Sequence, residues 1–141
     1  MTARDRQYAA LPWRRGRDGD TDILLISSRE TQRWVIPKGW PIEGLAPHDS
    51  ALREAFEEAG VAGNIEARPL GSYAYTKRLR DGASAQVTVI VFALEVTGVF
   101  EDWPEKGERR LLWMRRAEAA ASVEESGLAA LIAGFRPVAQ A

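Results

Sequence analysis

The stretch Gly39-Trp40-Pro41-Ile42-Glu43-Gly44-Leu45-Ala46-Pro47-His48-Asp49-Ser50-Ala51-Leu52-Arg53-Glu54-Ala55-Phe56-Glu57-Glu58-Ala59-Gly60-Val61 carries the strongest pattern in the chain. Pro47 suits a first helical turn, Asp49 lies near the positive end of a helix dipole, and Gly60 stands where a left-handed residue ends a helix. The pattern predicts a helix over 47–59. Ala51, Leu52, Ala55, Phe56 and Ala59 fall at helical spacing and form the expected buried stripe. Glu54, Glu57 and Glu58 stand at i, i+3 and i+4, so three carboxylates are expected to project to the other side.

Carboxylates crowded in this way repel and gain proton affinity unless a cation sits among them. Hard oxygen ligands suit magnesium or manganese, and magnesium also binds substrate phosphates. The same face also reads as a plain solvated helix surface, with Arg53 pairing to Glu57 one turn on. Arg-Glu-x-x-Glu-Glu alone does not separate these readings.

Outward from this helix the chain is ordinary. Its 141 residues give one domain, with 45% hydrophobic and 28% charged residues, as in a globular fold. Cysteine is absent and His48 is the single histidine. That excludes a disulfide scaffold, a thiolate nucleophile, a zinc–sulfur site and a multi-histidine cage. A net charge of -1 supplies no global field toward nucleic acid or membrane. No apolar run reaches the roughly 20 residues of a membrane span. Met1 to Gln7 is polar, so the expectation is no secretory signal and a cytoplasmic location. Of the 19 basic residues only Lys38, Lys77 and Lys106 are lysine. The arginine excess reads either as genome composition or as a phosphate-binding surface.

The flanking elements read as strands at 7–13 (weakened by Pro12), 23–27, 34–36, 65–77 (broken by Pro69 and Gly71), 86–96 and 110–114. Residues 14–20 and 78–84 read as turns, and 38–46 and 98–107 as loops. Two more helices are expected at 117–123 and 125–135. Strands on both sides of one strong helix predict an α+β fold, an α/β/α sandwich with a mixed β-sheet and C-terminal helices.

The quoted stretch resembles the Nudix box: a glycine, five residues, a glutamate, seven residues, then Arg-Glu-aliphatic-x-Glu-Glu-x-Gly-aliphatic. Gly39, Arg53, Glu54, Ala55, Glu57, Glu58, Gly60 and Val61 stand in register, and Leu45 replaces the first glutamate. Ser27-Ser28-Arg29, Arg33-Trp34-Val35-Ile36-Pro37-Lys38-Gly39, Glu101-Asp102-Trp103 and Arg109-x-x-x-Trp113 look like the diphosphoinositol polyphosphate phosphohydrolase branch of that family. The resemblance implies one Nudix domain over 1–141, with the box as a loop–helix–loop in a mixed sheet.

It further implies a hydrolase that cleaves a phosphoanhydride of a diadenosine or diphosphoinositol polyphosphate. Glu54 and Glu58 would hold magnesium or manganese, with Glu57 as a ligand or the base that activates water. The Gly39 carbonyl would complete the set, and Arg53 belongs to the catalytic group. Candidate phosphate contacts are Arg29, Arg33, Lys38, Lys77, Arg78, Arg80 and Arg109. Leu45 leaves the positioning of Arg53 in question; Glu43 is a substitute that spacing cannot assign. Two other readings stand beside this one: a broader hydrolase of nucleoside triphosphates or ADP-ribose, and a ligand-binding module without turnover. The expected partner is a small polyphosphate, with no nucleic acid and no membrane, and a homodimer is left open.

Overall fold

The computed structural model describes residues 5–137; the expected signal-free start and the domain ends therefore lie partly outside the described residues. The elements run β1 (Arg6–Arg15), β2 (Thr21–Ser27), β3 (Trp34–Val35), β4 (Lys38–Gly39), α1 (Pro47–Ala59), β5 (Val61–Ile65), β6 (Gly71–Arg78), β7 (Ser84–Val99), β8 (Leu111–Arg115), α2 (Arg116–Ser122) and α3 (Ser126–Gly134). The eight strands form one sheet with the path β3-β2-β1-β7-β5; β4 pairs with β1, β6 with β7 and β8 with β2. β1 and β7 run parallel while the other ladders are antiparallel, so the sheet is mixed as expected.

Side chains alternate across each strand with a period of two, which splits the core in two. Ala9, Leu11, Ile23, Leu25, Val87, Val89 and Val91 meet Leu128 and Ile132 of α3 and Ala119 of α2. Ala10, Leu24, Ile26, Phe92 and Leu94 meet Ala51, Ala55 and Ala59 of α1. The sheet is thus sandwiched between helices. The alanine stripe lets α1 lie close against it, which sets how near the helix's acidic flank comes to the strand ends. Among the described residues no helix is long and apolar enough to cross a membrane.

Four expectations shift. The weak first strand is a ten-residue strand inside the sheet. On its side away from β7, β1 pairs with β4 through Tyr8 and Ala9 and with β2 from Trp13 onward; Pro12 falls in the gap between these ladders, where a missing N–H is tolerated. Lys38–Gly39, expected in a loop, is β4, with Gly39 opposite Tyr8. The strand read over 65–77 is two: β5 ends at Ile65, and β6 starts at Gly71 after the turn that carries Pro69. β7 runs for 16 residues, further in both directions than read.

Candidate active site

The acidic helix begins and ends where its sequence says. Pro47 occupies the first turn, and Gly60 takes φ 67°, ψ 31° with its N–H donating to the Phe56 carbonyl. A side chain is excluded at Gly60 twice over. The left-handed backbone strains any β-carbon, and the Trp103 ring occupies the space it would need. That ring clamps the loop of residues 100–110 over the helix end, where the Glu105 N–H donates to the Glu57 carbonyl at 3.0 Å.

The glutamates do not share one face in the way expected. A helix turns about 100° per residue, so Glu58 falls on the stripe of Ala51 and Ala55 rather than opposite it. Glu58 is 6% exposed, and Glu54 is half-buried at the border of the same stripe. These two carboxyls are hydrogen-bonded to each other. Glu57 points one step further round and remains half-buried. Leu52 and Phe56, expected in the core, are half-buried on the far border, where Phe56 packs edge-on to Phe100 at 5.0 Å.

Burial is the main cause that pushes the Glu58 carboxyl up to about 8; the Glu54 hydrogen bond adds to it and Arg109 opposes it. Burial likewise raises Glu54, with Glu57 and Glu105 adding repulsion. Glu54 also lies flush against Gly39: a β-carbon there would stand 2.7 Å from Glu54 Oε1. Glycine is what allows the β4 backbone and this carboxylate to share the space.

Among the described residues no three acidic or imidazole side chains converge closely enough to grip an ion as they stand. The donor chemistry nevertheless fits a hard divalent cation. Two crowded carboxyls, Glu58 buried and Glu54 half-buried, stand beside a strand backbone, and a cation in that place relieves the repulsion that raises their proton affinity.

From Glu58 a cleft of about 330 Å³ opens between the β2–β3 turn, β4 and the end of β6. It is lined by Arg29, Arg33, Lys38, Lys77, Arg78 and Arg109, together with Ser28, Thr31, Tyr75 and Thr76. All but Arg80 of the basic residues read from the sequence as phosphate contacts therefore line one cavity. Arg109 is 10% exposed and fixed from three sides. It donates to the Ser27 carbonyl at 3.1 Å and to Glu105 at 3.0 Å, and its Nη2 lies 3.8 Å from Glu58. Arg29 pairs with Glu108 at 3.0 Å, and Arg33 with Glu124 at 3.1 Å. Lys38 lies over the Tyr75 ring at 5.1 Å, and burial lowers its pKa against the pull of Glu58 and Glu125.

Arg53 is not brought to this cluster. It faces outward, exposed, with neither the expected Glu57 pair nor any other ion pair among the described residues. Leu45, which stands in place of the first glutamate of the pattern, is 37% exposed on the preceding loop and offers Arg53 no carboxylate. Glu43 is exposed and does not take over. The loop is tied instead by Ser50, buried in α1, whose Oγ accepts the Ile42 N–H at 3.1 Å.

Sequence reading missed Tyr75 and Thr76 as cavity residues. Tyr75 was hidden inside a strand, although alternation with Lys77 places both on one face. Two further carboxylates reach the site from the segment before β8, Glu105 through Arg109 and Glu108 through Arg29.

A mixed sheet between helices, with a carboxylate-bearing helix feeding a cationic cleft, defines the class. A family model described as NUDIX domain matches residues 5–135, and the chain belongs to the Nudix family. It is 35% identical over 101 residues to Nudix hydrolase 12, mitochondrial, of Arabidopsis thaliana, covering 70% of this chain and 50% of that protein. It is 32% identical over 116 residues to diphosphoinositol polyphosphate phosphohydrolase 3-beta of Bos taurus, covering 81% and 66%. The chain thus spans about half to two-thirds of the length of these relatives. Among solved structures, a C. elegans Ap4A hydrolase matches with TM-score 0.61 at 16% identity, covering 91% of this chain and 92% of that one. A NUDIX hydrolase from Nitrosomonas europaea matches with TM-score 0.64 at 20% identity, covering 84% and 76%. At those identities the structural likeness speaks for the fold.

Proposed function

We propose that this protein is a divalent-metal-dependent pyrophosphohydrolase that cleaves a phosphoanhydride of a polyphosphorylated small molecule. One observation carries the reading: a cavity lined by six cations ends on a buried glutamate that is hydrogen-bonded to a second glutamate beside Gly39. Cations alone fit phosphate binding; the crowded carboxyl pair at their end is the feature that fits hydrolysis. The names of the relatives, a diphosphoinositol polyphosphate phosphohydrolase and an Ap4A hydrolase, support the same substrate chemistry.

Glu54 and Glu58 would hold the metal, magnesium or manganese, with the Gly39 carbonyl alongside. Such a cation polarises phosphoryl oxygens and lowers the pKa of water. The chain's own part is to bind and orient. Lys38, Lys77 and Arg78 neutralise the phosphate chain, and Arg29, Arg33 and Arg109 add planar donors suited to phosphoryl oxygens. Glu57, outside the Glu54–Glu58 hydrogen bond, accepts the proton of the attacking water. Water then supplies one oxygen to phosphorus, the bridging P–O bond breaks, and two phosphorylated products leave. Arg53 stands exposed outside the cleft, so its substitution is expected to cost less than that of Glu57.

The test is chromatographic detection of the phosphorylated products formed from dinucleoside polyphosphates, diphosphoinositols, nucleotide sugars and nucleoside triphosphates, with magnesium and with chelator. Metal-dependent turnover of at least one class is expected. No turnover of any class by folded, metal-loaded protein would overturn the reading.

A further inference from the structure

Helix α1 meets the segment before it at two points one turn apart. Glu54 lies flush against Gly39, where a β-carbon would stand 2.7 Å from Glu54 Oε1. Ser50, at i−4 from Glu54 and so on the same side of the helix, accepts the Ile42 N–H on its Oγ at 3.1 Å. Gly39 and Ile42 stand close along the chain, so the fastening at Ser50 is a short step from the backbone that meets Glu54. Beyond Ile42 the loop closes on itself: the Leu45 N–H donates to the Ile42 carbonyl at 3.1 Å, and Gly44 takes φ 86°. Ile42 is thus where a folded turn is fixed to the helix.

Packing does not require the Ser50 hydroxyl. Ser50 is 1% exposed beside the fully buried Ala51, and alanine would fill nearly the same space with no polar atom to desolvate. The Ile42 N–H is what makes burial of the oxygen tolerable. The helix start has no side-chain cap of its own, because Ala46 stands at the N-cap. Nor does the loop supply a fastening from its own acidic position: Leu45 carries no polar side-chain atom, and Glu43 is exposed.

Building on the reading of Glu54 and Glu58 as a metal site, we infer that Ser50 is a positioning residue for that site: its hydrogen bond to Ile42 holds the Gly39 backbone against Glu54, a fastening supplied from α1 that Leu45 cannot supply from the loop. Ser50 touches neither metal nor phosphate; it acts through Gly39 and Glu54.

Ser50→Ala tests this, since it removes the acceptor and very little volume. Amide hydrogen exchange of the metal-free protein reads the fastening without metal or turnover. The Ile42 amide is expected to exchange at least about tenfold faster in the variant, a larger change than at the buried Val89 amide of β7. Manganese, titrated by electron paramagnetic resonance, is expected to bind the variant at least about tenfold more weakly. At saturating magnesium, with the panel compound the wild type turns over fastest, kcat is expected to fall about tenfold or more. KM is expected to stay within about twofold, because Lys77 and Arg78 are untouched. A hydroxyl with a merely structural role would lower the melting temperature and leave the manganese affinity of the folded variant as it was. An unchanged manganese affinity, an unchanged Ile42 exchange rate, or a loss of activity confined to KM overturns the inference. Equal manganese binding and equal turnover by both proteins would do so while leaving the hydrolase reading intact. Weaker manganese binding by the variant, with no hydrolysis of any panel compound by the wild type, would strike the hydrolase reading alone. A folded wild type that binds no manganese would remove both.

Discussion

Raising the pH of the metal-free protein from 5 to 8 perturbs one buried pair above all. The Glu58 carboxyl lies near 8 in the folded chain against 4.5 for the free side chain. Between those values the folded state holds a proton that the unfolded state has released. Stability is therefore fullest below about 4.5 and falls as the pH rises toward 8. Each unit is worth about 1.4 kcal/mol, so the pair sets a ceiling of about 5 kcal/mol. Arg109, at 3.8 Å from Glu58, already holds the value down to about 8, and part of the ceiling lies outside the span from pH 5 to 8. A loss of about 2–3 kcal/mol lowers the melting temperature by about 6–15 °C in a domain of this size.

Thermal melts in chelator across this range measure the effect. Millimolar magnesium is expected to flatten the slope, because a cation replaces the proton between Glu54 and Glu58. Glu58→Gln is expected to flatten it without metal. A melting temperature that stays level or rises from pH 5 to 8 in chelator would refute the reasoning. An undiminished slope in magnesium would refute the placement of the ion.

Three further outcomes follow from particular contacts. Glu57→Gln should lower kcat by about a hundredfold or more, with an unchanged melt, because the side chain bears on proton transfer rather than on the core; near wild-type turnover removes its role as base. Gly60→Ala should cost about 1–3 kcal/mol in chemical denaturation, since it strains a left-handed residue and displaces Trp103; a change below about 0.5 kcal/mol contradicts the clamp. Lys77→Ala combined with Arg78→Ala should raise KM about tenfold or more, with a smaller change in kcat and a KM that is less sensitive to salt; an unchanged KM means these cations do not touch substrate.

Much of this was readable before any fold was in view, and the failures have physical causes. Helix α1 is marked by local chemistry at both ends, Pro47 and Gly60, so its bounds match the reading. β1 was underrated because Pro12 is judged by a local rule, whereas its tolerance depends on which neighbour stands beside it in the sheet. Of the cleft cations, Arg29, Arg33, Lys38 and Arg109 could be gathered by flanking motifs, and Lys77 and Arg78 by their place at a strand end, although four separate parts of the chain supply them. Glu58 was placed with the solvent-facing carboxylates because polarity was taken to mean exposure; helical angle put it under the helix, where Arg109 and Glu54 make its burial tolerable. Glu125 gave no signal at all. Its neighbour Glu124 has the same side chain, and only the packing of α3 against β6 distinguishes the buried one from the paired surface one.

The central claim is that the Glu54–Glu58 pair is a metal site at the end of a phosphate cleft. Electron paramagnetic resonance of manganese titrated into the wild type and into the Glu54→Gln, Glu58→Gln double variant measures it directly. The account predicts saturable manganese binding by the wild type and at least about a hundredfold weaker binding by the double variant. Equal binding by both proteins, or none by a folded wild type, would contradict it.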